Sequence, residues 1–244
     1  MKDIPVIFED EDVLVINKPA DLIVHADGKT KESTLVDYVV TKLKIDPSVG
    51  EPLIIASGEV INRAGVVHRL DKDTTGAIII AKNTNSFNFL KAQFKRKEIK
   101  KTYLAFTKGS PKDSRGIINK SIGRSSTDIR KWATNRTRGE LREAITRYRV
   151  LSKGKDWGLL VLWPETGRTH QIRVHLSSIG HPVLADSIYG EVNNSLNFQR
   201  QALHSYKITF KSLDSGLVEV VAPLPEDIDN ALKAIGFDKK DLPI

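Results

Sequence analysis

Short apolar runs separated by polar turns dominate the first hundred residues of the chain. The runs at 5–8 and 13–17 have the length and composition of strands, and the acidic turn at 9–12 joins them as a predicted hairpin. A third run, at 77–81, is apolar at every position, which is typical of a strand that is buried on both faces. The pattern therefore predicts a buried strand directly after a polar loop.

Helical spacing of apolar residues occurs in a few segments, each next to a residue that can begin or end a helix. The predicted helices begin after Ser33 or Thr34, after Ser86, after Thr169 and near Ile228. The second of these helices carries basic residues around its apolar side. Helices are thus a minority, and they do not alternate regularly with strands.

The second half of the chain is richer in strands. Predicted strands lie at 101–107, 144–151, 157–163, 202–204, 206–213 and 217–221. Residues 110–143 are polar and show little periodicity, and we expect loops and short strands there that become ordered on a ligand. Adjacent strand pairs without a regular strand–helix–strand succession predict an α+β fold, a mainly antiparallel mixed β-sheet with flanking helices and loops.

The composition excludes several classes of protein and site. The chain has 244 residues, 40% of them hydrophobic, and we expect residues 1–244 to form a single domain. Without cysteine there can be no disulfide, thiolate nucleophile or iron–sulfur cluster. No long apolar run, signal-peptide pattern or glycine-rich nucleotide motif is present, so we expect a cytoplasmic protein that binds no membrane and no nucleotide cofactor.

Positive charge is concentrated in the middle of the chain. Residues 91–149, here called the basic segment, contain 18 Lys and Arg against 5 Asp and Glu, a balance of +13, whereas the whole chain carries +8 and the remainder therefore −5. Such a block favours a polyphosphate partner, because each neutralised phosphate releases counterions. It predicts a nucleic-acid partner. The alternative is that these side chains only keep exposed faces in solution.

A polar loop, residues 68–76, ends directly before the apolar run at 77–81. It places Asp71 and Asp73 where a rigid strand could direct one carboxylate inward. Both acids could equally be turn formers, since Asp, Thr and Gly are common in tight turns. Arg69, two residues before Asp71, could bind a phosphate or be a surface charge.

A second polar group, residues 167–175, covers the start of the third predicted helix. Its histidines, His170 and His175, are five residues apart, which does not match a zinc-binding pair on one helix face. We therefore expect capping or core roles for them and no metal. If Arg173 faces inward, its guanidinium needs an anionic partner, and a catalytic carboxylate is one candidate.

Further motifs accompany these two segments in a fixed order. The set comprises Asn17-Lys18-Pro19, His68-Arg69-Leu70-Asp71, Thr74-Thr75-Gly76, Lys101-x-Tyr103-x-Ala105, Thr166-Gly167-Arg168-Thr169-His170-Gln171-Ile172-Arg173-x-His175, Gly180-His181-Pro182-Val183-Leu184, Asp186, Tyr189-Gly190 and Leu203-His204. A single four-residue match would be weak evidence. The ordered set, which extends from about residue 13 to residue 204, resembles the RluA family of pseudouridine synthases.

The resemblance implies a reaction, a fold and a set of catalytic residues. The family isomerises uridine in RNA by breaking the N1–C1′ bond and joining C5 to C1′, without a metal or other cofactor, on a pseudouridine synthase fold with two lobes around a central cleft. By the same resemblance Asp71 is the nucleophile and Arg173 is its partner. Tyr103 would lie against the base and assist removal of the C5 proton, and Arg69 would fill the stack from which the uridine is flipped.

Other residues of these segments are expected to contact the RNA. They are His68, Thr75, Arg168, His170 and Ile172 from the motifs and Lys95, Arg96 and Lys97 from the basic segment. The RNA is expected to be a structured tRNA or rRNA, bound by a monomer. Because the pattern begins close to the N-terminus, we expect one catalytic domain without the S4 RNA-binding domain that many relatives carry.

Two positions depart from the family pattern outside the expected chemistry. Thr75 stands where Ser is commoner, and Asp21 stands where Gly often follows Lys-Pro-Ala. Such exchanges leave the expected nucleophile in place.

Two other functions are open at the level of the sequence. A non-catalytic RNA-binding protein would share the basic segment, but it gives no reason for Asp71, Tyr103 and Arg173 to occur together. A glycosidase would use Asp71 with a second carboxylate, Asp73 or Glu165. The positive charge of this chain and its aromatic content of 7% do not favour binding of a neutral glycan.

Overall fold

The computed structural model describes residues 3–26, 32–54, 58 and 60–243. The chain divides into two compact units, a first unit of residues 1–100 and 207–223 and a second unit of residues 101–206 and 224–244. Each unit combines antiparallel strand pairs with helices, which confirms the predicted α+β class.

The first unit is built around a buried strand. Its elements are β1 (Val6–Glu9), β2 (Val13–Lys18), α1 (Leu35–Thr41), β3 (Leu53–Ile54), β4 (Val60–Ile61), β5 (Thr75–Ala81) and α2 (Thr84–Lys95). Strands β1, β2 and β5 are neighbours in that order, with Val15 opposite Ile79. Every residue of β5 is buried. The predicted hairpin and the predicted buried strand are both confirmed.

The helices of the first unit are short and begin at side-chain caps. Thr34 caps α1, as predicted, and its N–H donates to the Asp37 carboxylate at 2.7 Å. Helix α2 begins earlier than predicted, because Asn83 rather than Ser86 is the cap: Asn83 Oδ1 accepts from the Ser86 N–H at 2.8 Å. Neither these nor the other helices of the described ranges are long and apolar enough to cross a membrane.

The second unit contains a larger and a smaller antiparallel sheet. Its elements are β6 (Lys100–Lys108), β7 (Arg115–Asn119), β8 (Ile122–Ser125), β9 (Trp132–Ala133), β10 (Thr137–Arg142), β11 (Ile145–Lys153), β12 (Trp157–Pro164), α3 (Gln171–Ser178), α4 (Glu226–Ala234) and a 3-10 helix (Lys239–Asp241). The larger sheet has the order β6-β12-β11-β7, and the smaller has the order β10-β8-β9. Strand β13 (Leu203–Ser212) begins in this unit and ends in the first, where it pairs with β14 (Gly216–Val221).

Residues 110–143 contain the short strands that were expected there, β7, β8, β9 and β10, and these strands are paired. Two other predictions for the second half of the chain are wrong. The two strands predicted between 202 and 213 are the single strand β13. Thr169 does not cap α3: the helix follows His170, whose φ of +55° makes a left-handed turn without a side-chain cap.

Candidate active site

Asp71 lies in a tight turn that leads into the buried strand β5. The Thr74 N–H donates to the Asp71 carbonyl at 3.1 Å, which closes the turn. Thr74 and Thr75 are buried, and Gly76 follows with a φ of +112°, a conformation that favours glycine. Asp71 itself is half-buried. Its carboxylate is thus carried by a turn that is fixed at the start of a rigid strand.

Lys18, the last residue of β2, fixes the backbone next to Asp71. It is fully buried, and its Nζ donates at 2.8 Å to the carbonyls of Pro19, Leu22 and Lys72. The Leu22 N–H also donates to the Lys72 carbonyl, at 3.2 Å. A buried ammonium is tolerated only when its donors are satisfied, and these carbonyls satisfy them. The residue after Asp71 is therefore tied to the end of β2.

The side chain of Lys72, in contrast, forms exposed ion pairs. Its Nζ lies 3.0 Å from Asp21 Oδ1 and 3.1 Å from Glu32 Oε2, and hydrogen bonds to these carboxylates raise the pKa of Lys72. Asp21 has a φ of +58°. Asp tolerates this left-handed conformation better than most residues with a side chain. This explains how Asp can stand where the RluA pattern often has Gly.

The two residues that begin the loop are placed differently. His68 Nε2 accepts from the Ile79 N–H at 2.9 Å, and the His68 ring lies 5.0 Å from the ring of Phe94. This anchors the loop to β5 and α2. Arg69 is exposed, as a residue that reaches into RNA would need to be. RNA contact by either residue stays a prediction.

Positive charge accumulates beside this loop. Burial, together with the nearby charges of Arg63 and Arg69, lowers the pKa of His25 from 6.5 to about 4. Arg63 lies over the ring of Phe87, 5.5 Å from its centroid, and burial lowers the pKa of Arg63 as well. His25 is therefore neutral near pH 7, and the arginines supply the positive charge.

In the second unit, Tyr103 lies in the middle of β6. It is opposite Leu162 of β12 and only 8% exposed. Lys101 is two residues earlier and therefore on the same face of the strand. Its Nζ donates to the Thr166 carbonyl at 3.2 Å, and burial lowers its pKa from 10.5 to about 8. A paired strand thus carries the aromatic ring and a cation side by side.

Arg173 forms a buried ion pair on α3. Its Nε lies 2.6 Å from Asp186 Oδ2 and its Nη2 lies 2.8 Å from Asp186 Oδ1, and both residues are buried. Asp186 Oδ1 also accepts from the N–H groups of Ile188 and Tyr189. The sequence correctly indicated that an inward Arg173 needs an anionic partner, and Asp186 is such a partner. The pairing of Arg173 with Asp71 stays a prediction.

Tyr189 joins Arg173 to the start of α3. The Arg173 guanidinium carbon lies 5.2 Å from the centroid of the Tyr189 ring. The Tyr189 hydroxyl accepts from the Trp132 N–H at 2.9 Å and lies 2.9 Å from His170 Nδ1. Two predicted site residues, His170 and Arg173, are therefore brought together around one aromatic side chain.

The loop before α3 is organised by Gln171. The Gln171 Oε1 accepts from the Thr166 hydroxyl at 2.6 Å and from the Arg168 N–H at 3.0 Å, and its Nε2 donates to Ile145 O and Thr146 Oγ1. Each polar atom of this buried amide thus has a partner. Arg168 is exposed, so the loop presents a cation from a fixed backbone.

The interior side of α3 is filled by His175 and Ile172. The His175 Nε2 lies 2.9 Å from the Lys120 carbonyl, and its Nδ1 lies 2.9 Å from Thr146 Oγ1. Because a carbonyl can only accept, Nε2 carries the proton, and burial lowers the pKa of His175. This agrees with the predicted core role. Ile172 is also buried, which leaves little of its side chain for RNA.

The basic segment presents much of its charge to solvent. At the end of α2, Lys95, Arg96 and Lys97 are exposed. Arg96 pairs with Glu98, 2.7 Å away. In the second unit, exposed arginines lie on the small sheet and its turns: Arg124, Arg130, Arg136, Arg138 and Arg142. The predicted basic surface is thus accessible in both units.

Comparison with known proteins agrees with these motifs. The sequence profile described as RNA pseudouridylate synthase matches residues 12–178. The chain belongs to this family. It is 37% identical over 250 residues to the Ribosomal large subunit pseudouridine synthase D of Zymomonas mobilis, covering 98% of this chain and 76% of the relative. The resemblance found in the sequence is therefore confirmed.

The match to two further relatives covers most of this chain but a smaller share of each relative. It is 36% identical over 223 residues to the Ribosomal large subunit pseudouridine synthase D of Borreliella burgdorferi, covering 91% of this chain but only 66% of that relative. The structure named Human RNA Pseudouridylate Synthase Domain Containing 1 matches with a TM-score of 0.72 and 29% identity, over 94% of this chain and 87% of that one. The predicted pseudouridine synthase fold is confirmed by this match.

Sequence reasoning assigned no role to three residues that organise these pseudouridine synthase motifs. They are Lys18, Asp186 and Gln171. A lysine at the end of the largely apolar strand 13–18 was a signal for the first. For the other two, motif membership was the only signal, because Asp186 pairs with Arg173, 13 positions away, and Gln171 donates to Ile145 and Thr146, 26 and 25 positions away.

Proposed function

We propose that this chain converts uridine to pseudouridine in RNA, with Asp71 as the nucleophile. The observation that carries the proposal is the placement of Asp71 in a turn fixed by the buried Lys18 ammonium, at the start of β5. A half-buried carboxylate on so rigid a support has its position set before substrate arrives. The N1–C1′ bond breaks and C5 joins C1′. C5 loses its proton and N1 gains one, so the composition is unchanged and the reaction is an isomerisation.

Tyr103 and Arg173 are proposed as the other catalytic residues. Tyr103 offers a flat ring for the uracil and a hydroxyl to assist removal of the C5 proton. Arg173 is proposed to keep Asp71 ionised and oriented. The buried pair with Asp186 supports this role, because its two hydrogen bonds fix the position of the guanidinium.

The RNA is proposed to be a structured RNA bound through the basic segment. Because both bacterial relatives named above are called ribosomal large subunit enzymes, large-subunit rRNA is the substrate to test first and tRNA the second. Arg69 is proposed to occupy the place of the flipped uridine, since it is exposed beside Asp71. We further propose one catalytic domain over residues 1–244, acting as a monomer in the cytoplasm and needing no cofactor.

The decisive experiment measures release of tritium from RNA labelled at uracil C5. Wild-type protein should release label, and Asp71→Asn should lower the rate by at least about a thousandfold, because a nucleophile has no substitute in the reaction. Asp73→Asn, in the same loop, is the matched control and should keep most of the rate. RNA binding without any release by wild-type protein would instead support the non-catalytic alternative.

A further inference from the structure

Lys101 is a half-buried cation whose donors are not all used. Its Nζ donates to the Thr166 carbonyl at 3.2 Å. Within the described part of the chain, this carbonyl is the only hydrogen-bond acceptor that the ammonium group reaches. An ammonium has three N–H donors, and a buried cation is stable only with acceptors or an anion nearby. Lys101 therefore has donors to offer a ligand.

The position of this ammonium group is fixed by its surroundings. The Thr166 hydroxyl donates to Gln171 Oε1 at 2.6 Å and accepts from the Ile145 N–H at 3.1 Å. Thr166 itself is buried. The carbonyl that holds Lys101 thus belongs to a residue that is anchored twice through its side chain. A ligand would meet a cation that is already in place.

There is room for a ligand beside the ammonium group. A Cβ atom placed on Gly167 would have the Lys101 Nζ, at 3.9 Å, as its only neighbour within 4 Å. Gly167 is exposed. The side of Gly167 that faces Nζ is therefore open, and Tyr103 lies on the same face of β6 as Lys101.

We infer that Lys101 binds a backbone phosphate of the RNA next to the uridine that Tyr103 contacts. The inference rests on the proposed function for the identity of the RNA. A phosphate supplies the negative charge and the acceptor oxygens that this ammonium lacks. A neutral uracil carbonyl would accept a hydrogen bond but would leave the partly desolvated charge uncompensated.

The charge of Lys101 sets the expected pH dependence. Burial alone lowers its pKa to about 8, with no contribution from a charged neighbour. Of the charged groups beside it on the loop after β12, Glu165 pairs with Arg147, and Arg168 donates to a backbone carbonyl. An ammonium is charged below its pKa, so the free protein loses this cation as the pH rises through about 8. RNA affinity should fall over the same range.

The test measures RNA affinity of Lys101→Met and Lys101→Arg at several salt concentrations and from pH 7 to 9.5. Lys101→Met should bind about tenfold to a hundredfold more weakly, as expected for one charge-assisted hydrogen bond. The slope of log affinity against log salt should decrease by about one. Lys101→Arg should keep the wild-type salt slope and lose the fall in affinity near pH 8, because arginine stays charged.

Lys233→Met is the control, since Lys233 lies on α4 of the same unit, outside the basic segment, and pairs with Asp229. It should leave salt slope and pH profile unchanged. Wild-type values for both readouts in a folded Lys101→Met protein would overturn the inference. If Lys101→Met does not fold, a Lys101→Arg variant whose RNA affinity falls near pH 8 as in the wild type would overturn the inference. Absence of tritium release by wild-type protein would refute the proposed function but would not alter these binding readouts.

Discussion

A buried cation fixes the Asp71 loop in the first unit and another lies on α3 in the second unit, but the hydrogen-bond partners of the two cations differ. Lys18 donates to three backbone carbonyls, all at 2.8 Å. Arg173 instead meets a carboxylate, Asp186, through two hydrogen bonds. Backbone dipoles thus accept from the first cation, whereas a carboxylate accepts from the second. The lysine therefore fixes backbone, and the ion pair fixes the direction of a side chain.

This difference has a consequence for substitution. Removing a cation that is solvated by carbonyls takes away a buried charge together with its hydrogen bonds, so the two effects partly offset each other. Removing one member of a buried ion pair leaves the other charge uncompensated, which is among the most destabilising changes known for single residues. The second unit should be the more sensitive of the two.

The largest effect is expected for Asp186→Asn. The variant keeps the shape of the side chain but removes the counter-charge that Asp186 supplies to the buried Arg173, and we expect a loss of about 3–5 kcal/mol in the free energy of unfolding. Urea titration followed by circular dichroism measures it. The double variant Arg173→Met/Asp186→Leu should recover most of the stability but no activity. A double variant as unstable as Asp186→Asn would show that charge compensation is not the reason.

An intermediate effect is expected for Lys18→Met, which removes the ammonium donor from the carbonyls of Pro19, Leu22 and Lys72. We expect a loss of about 2–3 kcal/mol in the free energy of unfolding, since three lost hydrogen bonds are partly offset by the absence of a buried charge. Tritium release should fall as well, because the turn after Asp71 is no longer tied to β2.

Lys72→Met is the matched control for this experiment. Lys72 is next to Asp71, but its ammonium forms exposed ion pairs with Asp21 and Glu32. Such pairs contribute between about 0 and 1 kcal/mol. If Lys72→Met destabilised the protein as much as Lys18→Met, burial would not be what distinguishes the two lysines.

The smallest effect concerns pH and is expected in the second unit. Burial lowers the pKa of His175, so the folded state binds its proton less readily than the unfolded state does. The contribution of the neutral His175 to stability is therefore fully present above pH 6.5, the pKa of the unfolded state, and is lost as the pH falls below it. Binding of one proton can change the free energy of unfolding by at most about 1.4 kcal/mol per pH unit.

Urea titrations at pH 7.0, 6.0 and 5.0 measure this dependence. His175→Gln should be less stable at pH 7 but should lose less stability on acidification than the wild type. His181→Gln is the control, because His181 bonds the Lys108 carbonyl nearer the surface. Equal acid sensitivity of His175→Gln and the wild type would assign the pH dependence to other groups, such as His25 in the first unit.

Several elements of the fold could be predicted because their determinants are local. The hairpin of β1 and β2, the buried strand β5 and the Thr34 cap depend on residues within a few positions of one another. The start of α2 was misplaced by three residues because Asn83 and Ser86 are both good caps, and only the observed hydrogen bond distinguishes them. Short strands were expected in residues 110–143, but their individual positions were not, because pairing with distant partners, such as β7 with β11, stabilises them.

The sequence by itself determined the chemistry that is available: an acid before a buried strand, a tyrosine on a strand, an inward arginine, a basic segment and an ordered set of motifs that indicates the family. Only the tertiary structure decided which groups compensate the buried charges. Lys18 meets the carbonyl of Lys72, 54 positions away, and Arg173 meets Asp186, 13 positions away. The physical reason is that burial makes an unpaired charge costly, but any suitable acceptor can remove that cost. Folding selects the acceptor, and sequence spacing does not reveal it.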